Sequence, residues 1–417
     1  MASSAKDEWK ERWPLVLGAM LGYSCLSLQV FLFGVFVLPI EQELHWSRAE
    51  VMLGLSVMHA AGIALNLGGG LLVDRFGARR VALTGQVLTC AGFSLLSTAN
   101  GALGPWLANW LLIAVGGALM QGTAWTRIVA QHFDKGRGLA IATVLTGSSI
   151  TATFAPLVAT WLIGLIGWRA ALAVSPLMWL AITFPFSFGL FRSAHKTMGT
   201  RPANAGVSDA DQPGVTLWQA LRMPAFWCIG AALFAFALYT VALAPNLIPL
   251  LREKGVDGGL AAKLAALVGF SGLVARLSVG HLLDRLPSHL VAGACYVMPM
   301  VGLALTLDPA PSSAMLALSI ILLGASIGAE LDVIVFLTTR HFGIRHFGAI
   351  LGAILGFGAV GSMIAPIAMG RSHDIFGMYD PFLMLLLVVL GVMAILMFCL
   401  RDPRSAPGES LPCERNG

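Results

Sequence analysis

The chain has 417 residues, of which 57% are hydrophobic and only 11% are Asp, Glu, Lys or Arg. An ordinary soluble domain carries about 25% charged residues, so the composition excludes a water-soluble enzyme, a disordered chain and a secreted disulfide scaffold. The net charge is +5, and its meaning depends on where the charges sit.

A helix needs roughly 20 mostly apolar residues to cross a bilayer, and twelve such windows follow one another along the chain. Residues 1–13 carry charges of both signs, and the apolar run after them is too long for a cleaved signal. Span 1 covers about 14–38 and holds Tyr23, Ser24 and Gln29; span 2, about 50–72, holds His59 and Asn66. Span 3 follows at about 81–99, and span 4, about 105–129, carries Gln121 and Arg127. Spans 5 and 6 are read at 138–164 and 168–191. The longest polar stretch, Ser193 to Thr216, is rich in Ala, Gly, Asp, Pro and Thr, as a flexible linker would be. Span 7 (225–248) holds Tyr239 and Asn246, span 8 (260–283) holds Arg276, and span 9 covers 288–307. Span 10 (313–337) holds Glu330 and Asp332, and spans 11 and 12 cover 347–369 and 381–400. The expected units are a six-helix bundle over 1–192, a linker over 193–224, a second bundle over 225–402 and a tail over 403–417.

With both ends in the cytoplasm, eighteen Lys and Arg fall on cytoplasmic segments and six on outer ones. That bias predicts an inner-membrane protein with both termini cytoplasmic. Glycine is abundant at 47 residues, as closely packed membrane helices require. Five of the six Cys lie in apolar runs without metal spacing, which predicts buried thiols behaving as small hydrophobes. All eleven Trp precede position 228, and Trp13, Trp46, Trp106, Trp110, Trp168 and Trp227 near span ends read as an interfacial belt.

The halves repeat. Gly70-Leu-Leu-Val-Asp74-Arg75 matches Gly280-His-Leu-Leu-Asp284-Arg285 at an offset of 210, His132-Phe133 matches His341-Phe342 at 209, and Pro156 matches Pro366 at 210. Parallel six-span repeats are a transporter architecture, with the substrate held between the halves near the bilayer midplane. Gly70-Leu-Leu-Val-Asp74-Arg75-Phe-Gly77-Ala-Arg79-Arg80 resembles the loop 2–3 signature of the major facilitator superfamily. The second copy keeps Gly280, Asp284 and Arg285 but not the later Gly and basic pair. The resemblance implies an all-α membrane protein of twelve helices in two pseudo-symmetric bundles. It assigns gating to Asp74, Arg75, Arg79, Asp284 and Arg285, and it places helices 1, 4, 7 and 10 around the cavity.

Ionisable groups inside a membrane are costly and point to function. Arg276, in Val274-Ala-Arg276-Leu-Ser-Val-Gly280, resembles the helix 8 segment of the monocarboxylate transporter family, where an Arg binds the substrate carboxylate. A guanidinium suits that task because it keeps its charge when desolvated and presents a planar fork. The family's Asp four residues earlier is Gly272 here, span 1 has no Lys, and span 11 lacks the Lys of the related oxalate/formate exchangers. Glu330 and Asp332 are the candidate proton-coupling replacements; two apart on a helix, they point in different directions, so one is expected to face the cavity. By the repeat, Arg276 falls on Asn66 and Glu330 on Gln121. Asn66 and Gln121, with Tyr23, Gln29, Tyr239 and Asn246, complete the candidate substrate-binding set. The expected function is proton-coupled movement of a small organic anion, a monocarboxylate first, by alternating access, with anion exchange or drug efflux as the alternative. No catalytic, metal or P-loop motif occurs in the sequence. Neither enzymatic activity, a cofactor, a bound metal nor a nucleic-acid partner is therefore expected; the partners are the anion, protons and membrane lipid, and the working unit is a monomer.

Overall fold

The structure is a computed structural model that describes residues 5–121, 125, 129, 133, 137–197, 214–309, 311–343 and 345–400. Arg127, half of the expected linker (198–213) and the expected tail lie outside the described residues. Among the described residues, ten helices are long and apolar enough to cross a membrane. One of these, Leu139–Gly189, is two crossings joined at Gly167, whose φ of +74° breaks the helix. The shorter apolar helix Leu103–Leu119 supplies the twelfth crossing. The crossings are α1 (Ala5–Ser24), α2 (Arg48–Phe76), α3 (Ala78–Leu95), α4 (Leu103–Leu119), α5 (147–166) and α6 (168–197) in the first half. The second half holds α7 (Pro224–Glu253), α8 (Gly258–Arg285), α9 (Ser288–Thr306), α10 (Ser313–Phe342), α11 (Phe347–Phe376) and α12 (Asp380–Cys399). An even number of crossings puts both chain ends on one face, here the terminal face; the opposite one is the far face.

Local chemistry sets the helix ends. Ser47 and Glu50 form a reciprocal capping box at the start of α2 (Ser47 N–H to Glu50 Oε2, 2.8 Å; Glu50 N–H to Ser47 Oγ, 3.2 Å). Asp257 caps α8 and Ser312 caps α10. Gly77, at φ +85°, makes the one-residue turn from α2 to α3 that a residue with a Cβ would strain. Just before α7, in the expected linker, Leu217–Ala220 forms a short helix capped by Thr216, and Val215 N–H bonds the carbonyl of Phe342 at 2.9 Å.

Two kinds of packing hold the bundle. In the first half, Trp106 and Trp110 are fully buried with Phe33 and Phe93, ring centroids 4.9–6.4 Å apart. This corrects the belt reading for those two: they fill the core because Gly54 leaves room, a Cβ there lying 2.0 Å from Trp110. In the second half, α8 and α10 touch backbone to backbone. A Cβ on Gly328 would lie 2.0 Å from the Gly272 carbonyl oxygen, and one on Gly272 would lie 3.1 Å from that of Gly324. Such contacts let membrane helices approach without bulky side chains between them.

The two halves meet along α2 and α11. Toward the far face these helices are in contact, with Ile367 N–H on Ser56 Oγ at 3.2 Å. Toward the terminal face they part: Gly348, Gly352 and Gly356 are exposed, and a Cβ on any of them would meet nothing within 4 Å.

Candidate functional site: a charged cavity between the halves

The first crossing does not continue as a regular helix. After Ser24 it passes through a tight turn at Cys25–Ser27, a short helix at Leu28–Phe31 and a second tight turn at Phe33–Val35. The break frees the Ser24 carbonyl, which accepts from Thr151 Oγ1 at 2.6 Å, while Trp179 Nε1 donates to Ser24 Oγ at 3.0 Å. Non-helical backbone at membrane depth survives where it is buried in protein or lines a cavity. Here it does both. Cys25 Sγ accepts from Gln86 Nε2 at 3.3 Å, so this thiol is more polar in its contacts than a small hydrophobe.

The break borders a cavity of about 270 Å³ between the halves. Its walls come from the broken segment and from α5, α7, α8 and α10, and Gln29, Thr240 and Arg276 are among its polar residues. Phe31 and Phe236 are among the apolar ones. Among the described lining residues, helices 1, 7 and 10 of the expected set are joined by helices 5 and 8, and none belongs to α4 (Leu103–Leu119).

Arg276 sits on α8, nine residues before its terminal-face end, or roughly 14 Å at 1.5 Å per residue. Its side chain is 8% exposed. Nε donates to the carbonyl of Gly328 at 3.1 Å, and Nη1 donates to that of Leu145 at 2.8 Å. The second bond crosses from one half to the other. Asp332 Oδ2 lies 3.6 Å from Nε, and Tyr23 is within electrostatic reach of both charges. The close α8–α10 contact explains why Gly272 is not an acid: the α10 backbone occupies the space such a side chain needs, and α10 itself supplies the carboxylate one turn beyond Gly328.

Residues 19–329 match the family described as the Major Facilitator Superfamily. The chain belongs to that superfamily. It is 26% identical over 411 residues to monocarboxylate transporter 13 of Bos taurus, covering 95% of this chain and 92% of the relative. It is 25% identical over 386 residues to the 4-hydroxybenzoate transporter PcaK of Pseudomonas aeruginosa, covering 83% and 85%. A solved bacterial homologue of the human lysosomal transporter Spinster, inward-facing and unoccupied, superposes with a TM-score of 0.71 at 16% identity, covering 93% of this chain and 96% of that one. That likeness bears on the fold.

The superfamily fold distributes the remaining candidates unevenly. Gln29 lines the cavity, and its Oε1 has no hydrogen-bond partner among the described residues. Tyr239 is fully buried behind the wall, with its hydroxyl 3.5 Å from the Leu323 carbonyl; its neighbours Phe236 and Thr240 face the cavity instead. Asn246 is buried toward the far face, where its Oδ1 accepts from Tyr379 at 3.1 Å. Asn66 is exposed and Gln121 half-buried, and neither lines the cavity. Glu330 is fully buried on the opposite side of α10, where Tyr296 of α9 donates to Oε1. The two acids of span 10 thus point apart, Asp332 toward Arg276 and Glu330 away, and neither is among the cavity's described lining residues.

Of the gating set, Arg79 Nη2 donates to the Phe188 carbonyl of α6 at 3.1 Å, within its own half. Arg75 stacks on Phe76 with 5.4 Å to the ring centroid, and Arg285 is exposed. The side chains of Asp74 and Asp284 lie outside the described residues. Ser148 and Ser149 of the lining went unnoticed in the sequence, although the run Gly147-Ser148-Ser149 interrupts an apolar span.

Proposed function

We propose that this superfamily member is a proton-coupled carrier of a small monocarboxylate, working as a monomer in the cytoplasmic membrane with both termini in the cytoplasm. The observation that carries the reading is the Arg276–Asp332 pair at the edge of a cavity shared by both halves. A guanidinium has five N–H donors, and two of them are held by the carbonyls of Gly328 and Leu145. Those bonds fix the fork, leaving donors for a carboxylate.

The coupling follows from charge. A buried cation left without a counter-charge is strongly unfavourable, so Arg276 keeps Asp332 or an incoming anion as partner. When Asp332 takes a proton, it releases the guanidinium and the anion replaces it. One proton and one monocarboxylate then cross together with no net charge. Phe31 and Phe236 suit an apolar body on the anion. The relatives named for monocarboxylates and for 4-hydroxybenzoate agree with a single carboxylate as the shared feature. Glu330, hydrogen-bonded to Tyr296 away from the cavity, holds α9 to α10 in this reading, and proton transfer rests on Asp332.

Proteoliposomes test this. Carboxylate uptake should alkalinise the outer solution, and a protonophore should abolish accumulation. Counterflow with no pH change would replace symport by exchange.

A further inference from the structure

At the far face, away from the cavity, the halves are joined by charged groups. Arg48 opens α2, and its side chain is 4% exposed. Its Nε and Nη2 grip both oxygens of Glu41, the second bond at 2.7 Å, and Glu41 belongs to helix Val37–Leu44 of the same half. The guanidinium lies over the ring of Tyr379, 5.4 Å from its centroid. Asp374, near the end of α11 in the other half, accepts the backbone N–H groups of Arg48 and Ala49, each at 2.9 Å.

The first N–H groups of a helix have no partner within it and carry the positive end of its dipole. Own-chain caps come from the preceding turn, and Ser47 plays that part for Glu50. Two further N–H groups of this turn are satisfied only while α11 of the opposite half stays in place. The fit is tight: a Cβ on Gly370 would lie 3.0 Å from the Ala49 backbone. Below it, Tyr379 donates to Asn246, and Asn246 Nδ2 sits 3.8 Å from Met52 Sδ.

We propose that Asp374 is the bolt of a far-side gate: its carboxylate caps α2 across the boundary between the halves, and its withdrawal from Arg48 and Ala49 opens the cavity to the far face. The gate rests on the alternating-access reading but not on the identity of the cargo. Arg48 stays with Glu41 through the change, because both belong to one half. The swap exchanges a bond between halves for water on the α2 N-terminus, a discrete two-state event.

Met52, fully buried beside Asn246, provides the reporter. Met52→Cys is placed in a chain whose six native Cys are replaced, and its rate of maleimide labelling is followed in detergent. Labelling should be slow in this parent. Adding Asp374→Ala should raise the rate about fivefold to thirtyfold, the range that one or two lost interactions of this kind produce in a two-state equilibrium. Asp374→Asn, which keeps one acceptor, should fall between the two. Glu43→Gln, whose carboxylate bonds Trp168 and Arg169 of its own half, should stay at the parent rate. An unchanged rate in Asp374→Ala overturns the gate. Should that variant not be recovered folded, Asp374→Asn, which loses one of the two acceptor oxygens on the α2 N-terminus, is read in the same way, and the parent rate there overturns it. Stabilisation by a carboxylate, measured in parallel, separates the two readings: its loss with a gated labelling response counts against the cargo and not the gate.

Discussion

The two six-helix halves share a topology, and both close-pack glycine against backbone (Gly85–Gly116, Gly272–Gly328) and against rings (Gly54–Trp110, Gly293–Phe398), but they differ in which contact shapes the cavity. The first half packs large rings into glycine gaps, Trp110 against Gly54 and Trp125 against Gly22. The second packs glycine backbone on glycine backbone between α8 and α10. This difference bears on function. A helix carbonyl keeps a second lone pair after its ladder bond, and without a side chain at position 328 that oxygen is open to Arg276. The half that brings backbones together at the cavity wall can therefore seat a cation inside the membrane. The half that fills space with indoles supplies shape and neutral polar groups, with Gln29 and the Ser148–Ser149 pair on the cavity wall.

The largest expected effect tests this division of labour. Arg276→Ala should abolish carboxylate transport in proteoliposomes, since truncating one member of a buried, hydrogen-bonded charge pair costs about 2–5 kcal/mol. Its repeat partner gives the contrast: Asn66→Ala should transport nearly as the wild type, because Asn66 does not line the cavity. Equal activity of the two variants would end the asymmetry.

The packing contrast is sharpened next. Gly328→Ala and Gly54→Ala should each lower stability by about 1–3 kcal/mol through overpacking, read as a fall in melting temperature. They should differ in rescue. Trp110→Phe should recover part of the loss at Gly54, because the neighbour there is a side chain. No side-chain change should rescue Gly328, whose neighbour is the backbone of Gly272. The opposite sign is expected at Gly356, which faces open space. Gly356→Ala should raise stability by up to about 1 kcal/mol through helix propensity.

The smallest effect belongs to Glu43, outside the membrane-spanning segments. Its bonds to Arg169 and then Trp168 hold its carboxyl below the usual range. A depressed carboxyl stabilises the fold above its unfolded value, and that contribution is lost as pH falls through the folded value. Glu43→Gln should therefore melt slightly below the wild type at neutral pH. The gap should shrink with salt, because the pair is half exposed, and close on acidification through the carboxylate range.

The sequence was most legible where the bilayer dictates it. Apolar length and basic bias mark out twelve crossings and two repeats because backbone in lipid must be helical. It was less legible where helix rotation or a local break decides. Tyr239 and Thr240 differ by one position, and that rotation exchanges the wall for the cavity. The break after Ser24 follows no Pro or Gly in the turn itself; it is held from outside by Thr151 and Trp179, which no local pattern reveals. Trp106 and Trp110 lie near a span end yet serve the core, since sequence depth does not say which face a side chain takes. Arg276 was legible as a candidate because a cation deep in a span has few topological reasons to be there. Its choice of Asp332 over Glu330 depended on the orientation of α10.

The most direct measurement is a thermal-shift titration of purified protein with small monocarboxylates, repeated on Arg276→Ala and Arg276→Lys. At least one monocarboxylate is expected to stabilise the wild type, to fail with Arg276→Ala and to act weakly with Arg276→Lys, which keeps the charge without the fork. A monocarboxylate that stabilises wild type and Arg276→Ala alike would contradict Arg276 as the carboxylate site.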